Sequence, residues 1–129
     1  MLTGMSVFVL EDDVDTSELL AGSLRKFGAE VRSANTASAA LAILTGWQAD
    51  AILCDLHMPS VDGYEFLASL RATPQTTPVI AISASHPTIE RERAIEAGFA
   101  QYLVKPTRMS EVVAVVKRVI QDNSCAATR

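Results

Sequence analysis

At 129 residues the chain is long enough to bury the core of one domain, and its low aromatic content leaves Ala, Val, Leu and Ile to build that core. Its 15 acidic and 11 basic residues give a mildly acidic surface, which argues against sequence-independent binding to nucleic acid through a basic patch. No apolar run approaches the ~20 residues of a membrane span, and the N-terminal residues lack the charged and apolar regions of a signal peptide.

Five short runs predict β-strands, at residues 7–10, 30–33, 51–54, 79–82 and 101–104. Four of them fit strands that are buried on both faces, as in a parallel sheet. The run at residues 30–33 alternates between polar and apolar positions instead, which is typical of an edge strand.

Each strand is followed by a helical pattern. The first helix follows a cap at Asp15 or Thr16 and stops at Gly28. The second follows a cap at Thr36 and stops at Gly46. The third and fourth cover residues 64–71 and 88–97, and the fifth has apolar residues at helical spacing from 109 to 120.

The fourth helix has the weakest core face of the five. It is dense in Glu and Arg, and its apolar stripe consists of Ile89, Ala94 and Ala97. We therefore predict that it is the most mobile helix.

The chain is expected to form one domain. Residues 1–5 are predicted to be an N-terminal extension, residues 6–121 the domain, and residues 122–129 a polar, disordered tail. Cys54 in the third strand and Cys125 in the tail do not suggest a disulfide framework, so a reducing cytoplasm is the expected location.

Five strands that alternate with five helices predict an α/β fold with a doubly wound parallel sheet, because right-handed crossovers put helices on both faces. Parallel strands end at the same edge of a sheet, where such folds place their ligand sites. The residues that follow the four buried runs should meet there: Glu11 and Asp12, Asp55, Ser83, and Lys105.

Each of these residues alone has an ordinary structural explanation. Asp55 and Ser83 could cap a turn or a helix, and Lys105 could be a solvated loop residue. Their recurrence at successive strand ends favours a functional site instead.

The chemistry of that site follows from its charges. Crowded carboxylates repel one another, and a hard divalent cation relieves the repulsion; few carboxylates with retained water and a phosphate are typical of Mg²⁺. Asp55 can then act as a nucleophile toward phosphorus. Lys105 and Ser83 supply a positive charge and a donor to phosphoryl oxygens.

Over residues 6–121 the sequence resembles the receiver domain of bacterial two-component response regulators. The motifs of that family match Glu11-Asp12, Asp55, Met58-Pro59, Asp62-Gly63, Ser83-Ala84, Tyr102 and Lys105-Pro106. The resemblance implies a flavodoxin-like sheet with strand order 2-1-3-4-5. Asp13 is the next residue after the acidic pair and is expected to lie outside it.

The resemblance also implies a role for each site residue. Asp55 is implied to be the phosphoacceptor and Ser83 and Lys105 to assist it, with Ser83 and Tyr102 forming the switch. Mg²⁺ is implied to be bound by Glu11 through water, by Asp12 and Asp55 through carboxylates, and by the backbone carbonyl of His57. The His57 side chain would border the phosphoryl group, and we expect it to face solvent rather than to take part in catalysis.

The implied function is that of a phospho-accepting signalling switch in a two-component phosphorelay, not a classical enzyme. Its expected partners are a histidine kinase or histidine phosphotransfer domain and a downstream protein on the face formed by the fourth helix, fifth strand and fifth helix. A phosphorylation-dependent homodimer is a further expectation, whereas nucleic acid and membrane are not expected partners. The chain could be a free-standing regulator or a receiver module of a larger sensor kinase.

Two alternatives belong to other classes. Phosphatases of the haloacid-dehalogenase type also use an Asp nucleophile at a strand end, but they place a second Asp two residues later, where this chain has His57. A receiver fold can also serve as an unphosphorylated interaction module, against which the intact set of site residues argues.

Overall fold

Five strands and five helices alternate along the chain in the computed structural model. It describes residues 2–58, 61–84, 87–105 and 108–127, of which 87, 88 and 124–127 are described as backbone only. The strands are β1 Ser6–Leu10, β2 Glu30–Ala34, β3 Ala51–Asp55, β4 Val79–Ser83 and β5 Gln101–Val104. The helices are α1 Val14–Lys26, α2 Ala37–Gly46, α3 Gly63–Arg71, α4 Pro87–Ala97 and α5 Met109–Ala127.

The strands form one parallel sheet in the order β2-β1-β3-β4-β5, which confirms the predicted topology. β3 and β4 are buried along their whole length, as continuous apolar runs predict. β2 lies at the edge and buries only Val31 and Ala34, so its alternating sequence was interpreted correctly.

Two hydrophobic clusters cover the two faces of the sheet. The side chains of successive strand residues alternate between them, so that Val7 and Val9 face one cluster while Phe8 and Leu10 face the other. α1 and α5 complete the first cluster, and α2, α3 and α4 complete the second. Both faces are therefore covered, and the chain can bury the continuous apolar strands on both sides.

The start of α1 differs from the prediction. Its N-cap is Asp13, whose side chain accepts hydrogen bonds from the backbone N–H and the hydroxyl of Thr16, so neither Asp15 nor Thr16 is the cap. Residues 11–15 contain four acids. Asp13 is the cap because its extended backbone allows its carboxylate to reach the N–H of Thr16, three residues later. The predicted cap of α2 at Thr36 is confirmed.

The predicted apolar stripe of α4 is wrong. Ile89 is 75% exposed and Ala97 is also exposed, whereas Ala94 is fully buried and Glu90 is only 8% exposed. Ile89 lies about 140° around the helix from Ala94, so the two cannot share one face, while residues four apart can. The helix therefore buries an acid beside its alanine.

Residues on both sides of the predicted domain 6–121 also belong to the described structure. Leu2 is fully buried, and its N–H donates a hydrogen bond of 2.7 Å to the carbonyl of Phe27, so residues 2–5 pack against the domain. α5 continues to Ala127, past the predicted end of the domain at residue 121, and the division into domain and tail stays a prediction. No Gly or Pro interrupts that segment, and Ala has the highest helix propensity. Residues 128 and 129 lie outside the described residues.

Within the part of the chain that the structure describes, no helix is long and apolar enough to span a membrane.

Candidate functional site

The register of β1 and β3 brings two acids together at one edge of the sheet. Leu10 pairs with Cys54, so the next residues along each strand, Glu11 and Asp55, come side by side. Asp12 follows in the loop before α1. One oxygen each from Glu11, Asp12 and Asp55 can lie within 4.8 Å of one another. The three predicted carboxylates therefore form one cluster.

The fourth predicted charge comes from the end of β5. Ser83 pairs with Val104, and the N–H of Lys105 donates to the carbonyl of Ser83, so Lys105 begins at the same edge. Its Nζ lies 2.8 Å from Glu11 Oε2 and 3.7 Å from Asp55 Oδ2. One ammonium thus contacts two of the three carboxylates.

The cluster combines burial with charge. Glu11 is 2% exposed and Asp55 is 5% exposed. Burial raises the pKa of Glu11 to about 7, although its hydrogen bond from Lys105 acts in the opposite direction. Burial also raises the pKa of Asp55 against the attraction of the same ammonium. Burial disfavours the charge on Lys105, but its hydrogen bond to Glu11 and the neighbouring carboxylates outweigh that effect and raise its pKa.

This electrostatic arrangement fits a further cation. A single ammonium does not offset the cost of keeping the buried carboxylates ionised, as the raised pKa values of Glu11 and Asp55 indicate. Clustered oxygen ligands of this kind suit a hard divalent ion such as Mg²⁺. The residues present therefore fit the metal that the sequence predicts.

Backbone and side-chain hydrogen bonds hold the acidic strand ends in place. The side-chain amide of Asn35 donates to the carbonyl of Glu11 at 2.8 Å. The backbone N–H of His57 donates to Asp55 Oδ1 at 3.2 Å, and the N–H of Gly63 donates to the carbonyl of Leu56 at 3.0 Å. Asn35 was missed by the sequence analysis, because an Asn between a strand and a helix usually indicates only a turn.

Asp13 does not join the acidic cluster, in agreement with its expected place outside the pair. Its side chain caps α1 and is exposed, and its hydrogen bonds with Thr16 lower its pKa. The carboxylate is oriented toward the helix and not toward Asp55.

The two predicted switch residues are both buried. Ser83 is fully buried at the end of β4, and Tyr102 is 5% exposed on β5, packed in the same cluster as Phe99. Tyr102 therefore points inward in this structure, and its role as a switch residue stays a prediction. Pro59 and Pro106, which complete two of the predicted motifs, lie outside the described residues.

The His57 side chain is 56% exposed, yet its Nε2 lies 3.0 Å from Oε1 of Glu90 on α4. The side chain therefore faces solvent in part, as predicted, but the imidazole also contacts a buried acid. Sequence analysis missed Glu90. Its position four residues before Ala94 was the available signal, since those two positions share one helix face.

Three carboxylates and a lysine at the carboxyl edge of a parallel 2-1-3-4-5 sheet define a receiver-type signalling domain. A family model described as the response regulator receiver domain matches residues 7–117. The chain therefore belongs to the response regulator receiver domain family, which is a family of signalling domains in two-component systems. This membership excludes the phosphatase alternative.

Similar proteins agree with that assignment. The chain is 38% identical over 131 residues to the transcriptional regulatory protein PrrA of Mycobacterium leprae. This alignment covers 99% of this chain and 56% of the relative. It is 34% identical to an uncharacterized 14.6 kDa protein of Leptolyngbya boryana, over 91% of both chains. The receiver domain of the Francisella response regulator 1452 superposes with a TM-score of 0.86 at 27% identity, over 93% of this chain and 99% of that one. The chain spans about half the length of the mycobacterial relatives it matches.

Proposed function

We propose that the chain is a phospho-accepting switch, which takes a phosphoryl group from a phosphohistidine onto Asp55 in the presence of Mg²⁺. One observation carries the proposal: oxygens of Glu11, Asp12 and Asp55 cluster within 4.8 Å, with Lys105 Nζ 3.7 Å from Asp55 Oδ2. A nucleophile, a metal site and a fixed cation are the parts that phosphoryl transfer requires.

The metal would be held by Asp12 and Asp55 through their carboxylates, by Glu11 through water and by the backbone carbonyl of His57. When bound, Mg²⁺ neutralises phosphoryl oxygens and the crowded carboxylates. Glu11 has the further task of holding Lys105, which it contacts at 2.8 Å. This contact keeps the ammonium at the site.

In the proposed reaction an Asp55 carboxylate oxygen attacks the phosphorus of the donor. A P–O bond forms, the P–N bond to the donor histidine breaks, and the leaving imidazole takes up a proton. Lys105 and the hydroxyl of Ser83 stabilise the charge that develops on the phosphoryl oxygens. The later hydrolysis returns Asp55 to a carboxylate, so the chain assists its own phosphorylation and dephosphorylation without turning over a separate substrate.

The donor domain would approach along α1, next to the site. A cavity of about 510 Å³ lies between α1, α5 and the end of β4, and Lys105 is part of its lining. Leu19 on α1 also lines it and is 71% exposed. An exposed apolar side chain beside a charged site is a common feature of a protein-binding surface.

This docking surface is tested by comparing two donors. Leu19→Ala should slow phosphorylation by a phosphohistidine protein but leave phosphorylation by a small phosphodonor unchanged, because only the protein needs the surface. Equal slowing with both donors would contradict the docking role, and so would no slowing with either.

The nucleophile is tested by intact-mass spectrometry after incubation with a small phosphodonor and Mg²⁺. The wild type should gain one phosphoryl group, and Asp55→Asn should gain none, because an amide is not a nucleophile toward phosphorus. Equal labelling of the variant would refute the assignment. Absence of labelling in the wild type would favour the unphosphorylated interaction module instead.

The output of the switch would be the face formed by α4, β5 and α5. Phosphorylation would draw Ser83 toward the new oxygens and alter the packing of Tyr102, which lies on the neighbouring strand. Two isoleucines on α4, Ile89 and Ile95, are exposed, and exposed apolar side chains of this kind suit contact with a downstream protein or a second copy of the chain. We further propose a cytoplasmic location, with which the free, buried thiol of Cys54 is compatible.

A further inference from the structure

A polar cluster joins the loop after Asp55 to α4. It consists of His57 in the loop, Tyr64 on α3, and Glu90 and Arg93 on α4. Glu90 is the buried member, with 8% of its surface exposed, and its Oε1 lies 3.0 Å from His57 Nε2. None of the proposed steps at Asp55 uses Glu90.

Glu90 has an aromatic neighbour, Tyr64, which is itself packed against two other side chains. The Tyr64 ring packs edge-on against Phe99 at 5.6 Å between centroids, and the Arg93 guanidinium lies 4.8 Å above the same ring. Burial raises the pKa of Tyr64 to about 12, to which the nearby negative charge of Glu90 contributes. The Tyr64 hydroxyl therefore stays protonated and neutral beside the Glu90 carboxylate.

Two buried polar atoms in this cluster lack an aligned hydrogen-bond partner among the described residues, Tyr64 Oη and Glu90 Oε1. The 3.0 Å approach of His57 to Glu90 is thus a close polar contact and not an aligned hydrogen bond. A buried carboxylate oxygen in this situation favours any donor that reaches it, because leaving it unpaired is costly. The His57 imidazole is one such donor, and the Tyr64 hydroxyl is close enough to Glu90 to be another.

His57 in turn is closely linked to the phosphoacceptor. It lies two residues after Asp55, and its backbone N–H donates to Asp55 Oδ1 at 3.2 Å. A side chain that is 56% exposed would ordinarily sample several rotamers, some of them above the Asp55 carboxylate. Contact with Glu90 favours the rotamers that point to α4.

We propose that Glu90 is a positioning residue, which holds the His57 imidazole against α4 and so keeps the space above Asp55 open to water. The inference rests on the proposed phosphorylation of Asp55. With Glu90 in place, water reaches the phosphoryl group and hydrolyses it; without Glu90, the imidazole turns to the phosphoryl oxygens and shields them. A neutral imidazole with a proton on Nε2 and a protonated one both donate to a carboxylate, so the effect does not depend on the charge of His57.

The experiment measures the lifetime of the phosphoryl group by intact-mass spectrometry after removal of a small phosphodonor. Glu90→Met removes the acceptor while it keeps the length of the side chain and an apolar fit to the buried position. Loss of this polar contact should lengthen the lifetime by about three- to tenfold. Glu92→Met, at an exposed position of the same helix, is the matched control and should leave the lifetime unchanged.

Whether the effect of Glu90→Met depends on His57 shows whether Glu90 positions the imidazole or only supports the packing of α4. In a His57→Ala background, Glu90→Met should have no further effect on the lifetime, because there is no imidazole left to hold. Glu90→Gln, which keeps an oxygen acceptor, should restore part of the wild-type lifetime. An equal effect of Glu90→Met with and without His57 would show that Glu90 acts through α4 packing and would overturn the proposal, as would an unchanged lifetime in Glu90→Met itself.

A second measurement does not require phosphorylation. The chain has two histidines, so the imidazole signals of His57 can be assigned by NMR with His57→Ala. Glu90→Met should shift the His57 ring signals and Glu92→Met should not; unshifted signals in Glu90→Met would refute the contact. If the wild type accepts no phosphoryl group, the proposed function fails, and this NMR comparison still decides whether Glu90 positions His57.

Discussion

Gly63 is the first residue of α3, and a substitution there tests how closely this helix must approach the backbone of Asp55 and Leu56. A Cβ at this position would lie 2.8 Å from the carbonyl oxygen of Asp55 and 2.9 Å from Cα of Leu56. Both are backbone atoms, so rotation of a side chain cannot relieve the contact. Gly63 is not among the glycines with positive φ, which means that Gly63→Ala introduces a conflict of space and not of backbone conformation.

The size of the effect follows from the cost of overpacking. Insertion of a methyl group into a packed region typically costs about 1–3 kcal/mol, and we expect Gly63→Ala to lose that much free energy of unfolding. The strain falls on the peptide that carries Asp55, so the nucleophile should shift relative to Lys105 and the other carboxylates. Since misplacement by about 1 Å can cost a hundredfold in rate, a shift of a few tenths of an ångström should slow phosphorylation roughly tenfold.

The free energy of unfolding is measured by urea denaturation, followed by circular dichroism, and the rate by intact mass with a small phosphodonor. Gly22→Ala is the matched control, because Gly22 lies inside α1 and a Cβ there would meet nothing within 4 Å. That variant should gain about 0.5–1 kcal/mol and phosphorylate normally. If Gly63→Ala matched the wild type in both stability and rate, the close approach of α3 to Asp55 would not position the nucleophile.

Two further predictions concern the metal and the switch. Asp12→Ala should weaken Mg²⁺ binding by about tenfold or more in calorimetric titration, since even outer partners of metal sites contribute that much. Asp13→Ala should bind Mg²⁺ normally and lose about 1 kcal/mol of stability with its helix cap; a larger Mg²⁺ defect in this variant would show that the acidic pair is misassigned. Ser83→Ala should still accept the phosphoryl group but suppress the amide NMR changes that a phosphoryl mimic causes across residues 84–104. Wild-type changes confined to the loops of Asp12 and Asp55 would rule out this route.

The sheet and the core of its site could be predicted because both depend on local sequence. A strand buried on both faces must be apolar throughout, so β1, β3 and β4 are visible as short apolar runs. The first polar residue after such a run lies at the carboxyl edge by necessity, and parallel strands bring those residues together. Glu11 and Asp55 meet for this reason, before any detail of packing is known.

Features that depend on helix rotation could not be predicted in the same way. The buried face of α4 is set by how the helix packs on β5, and its sequence offers no continuous apolar stripe to indicate that face. Ile89 was therefore assigned to the core face, whereas the packing exposes Ile89 and buries Glu90, to which the sequence analysis gave no role. The cap of α1 is a related case, because Asp13 and Asp15 are both good capping residues and the sequence does not show which of them has the extended backbone of an N-cap.

The position of Lys105 links the stability of the site to its chemistry. Its ammonium is hydrogen-bonded to Glu11 at 2.8 Å and lies 3.7 Å from Asp55 Oδ2, so it reduces the repulsion within the cluster without covering the nucleophile. Asp55 keeps an oxygen free of that hydrogen bond and remains able to attack phosphorus. A phosphoryl group on Asp55 would bring new anionic oxygens toward the ammonium and compete with Glu11 for it. The attraction that stabilises the product is therefore already present in the unphosphorylated site, and only a short movement of one flexible side chain separates the two arrangements.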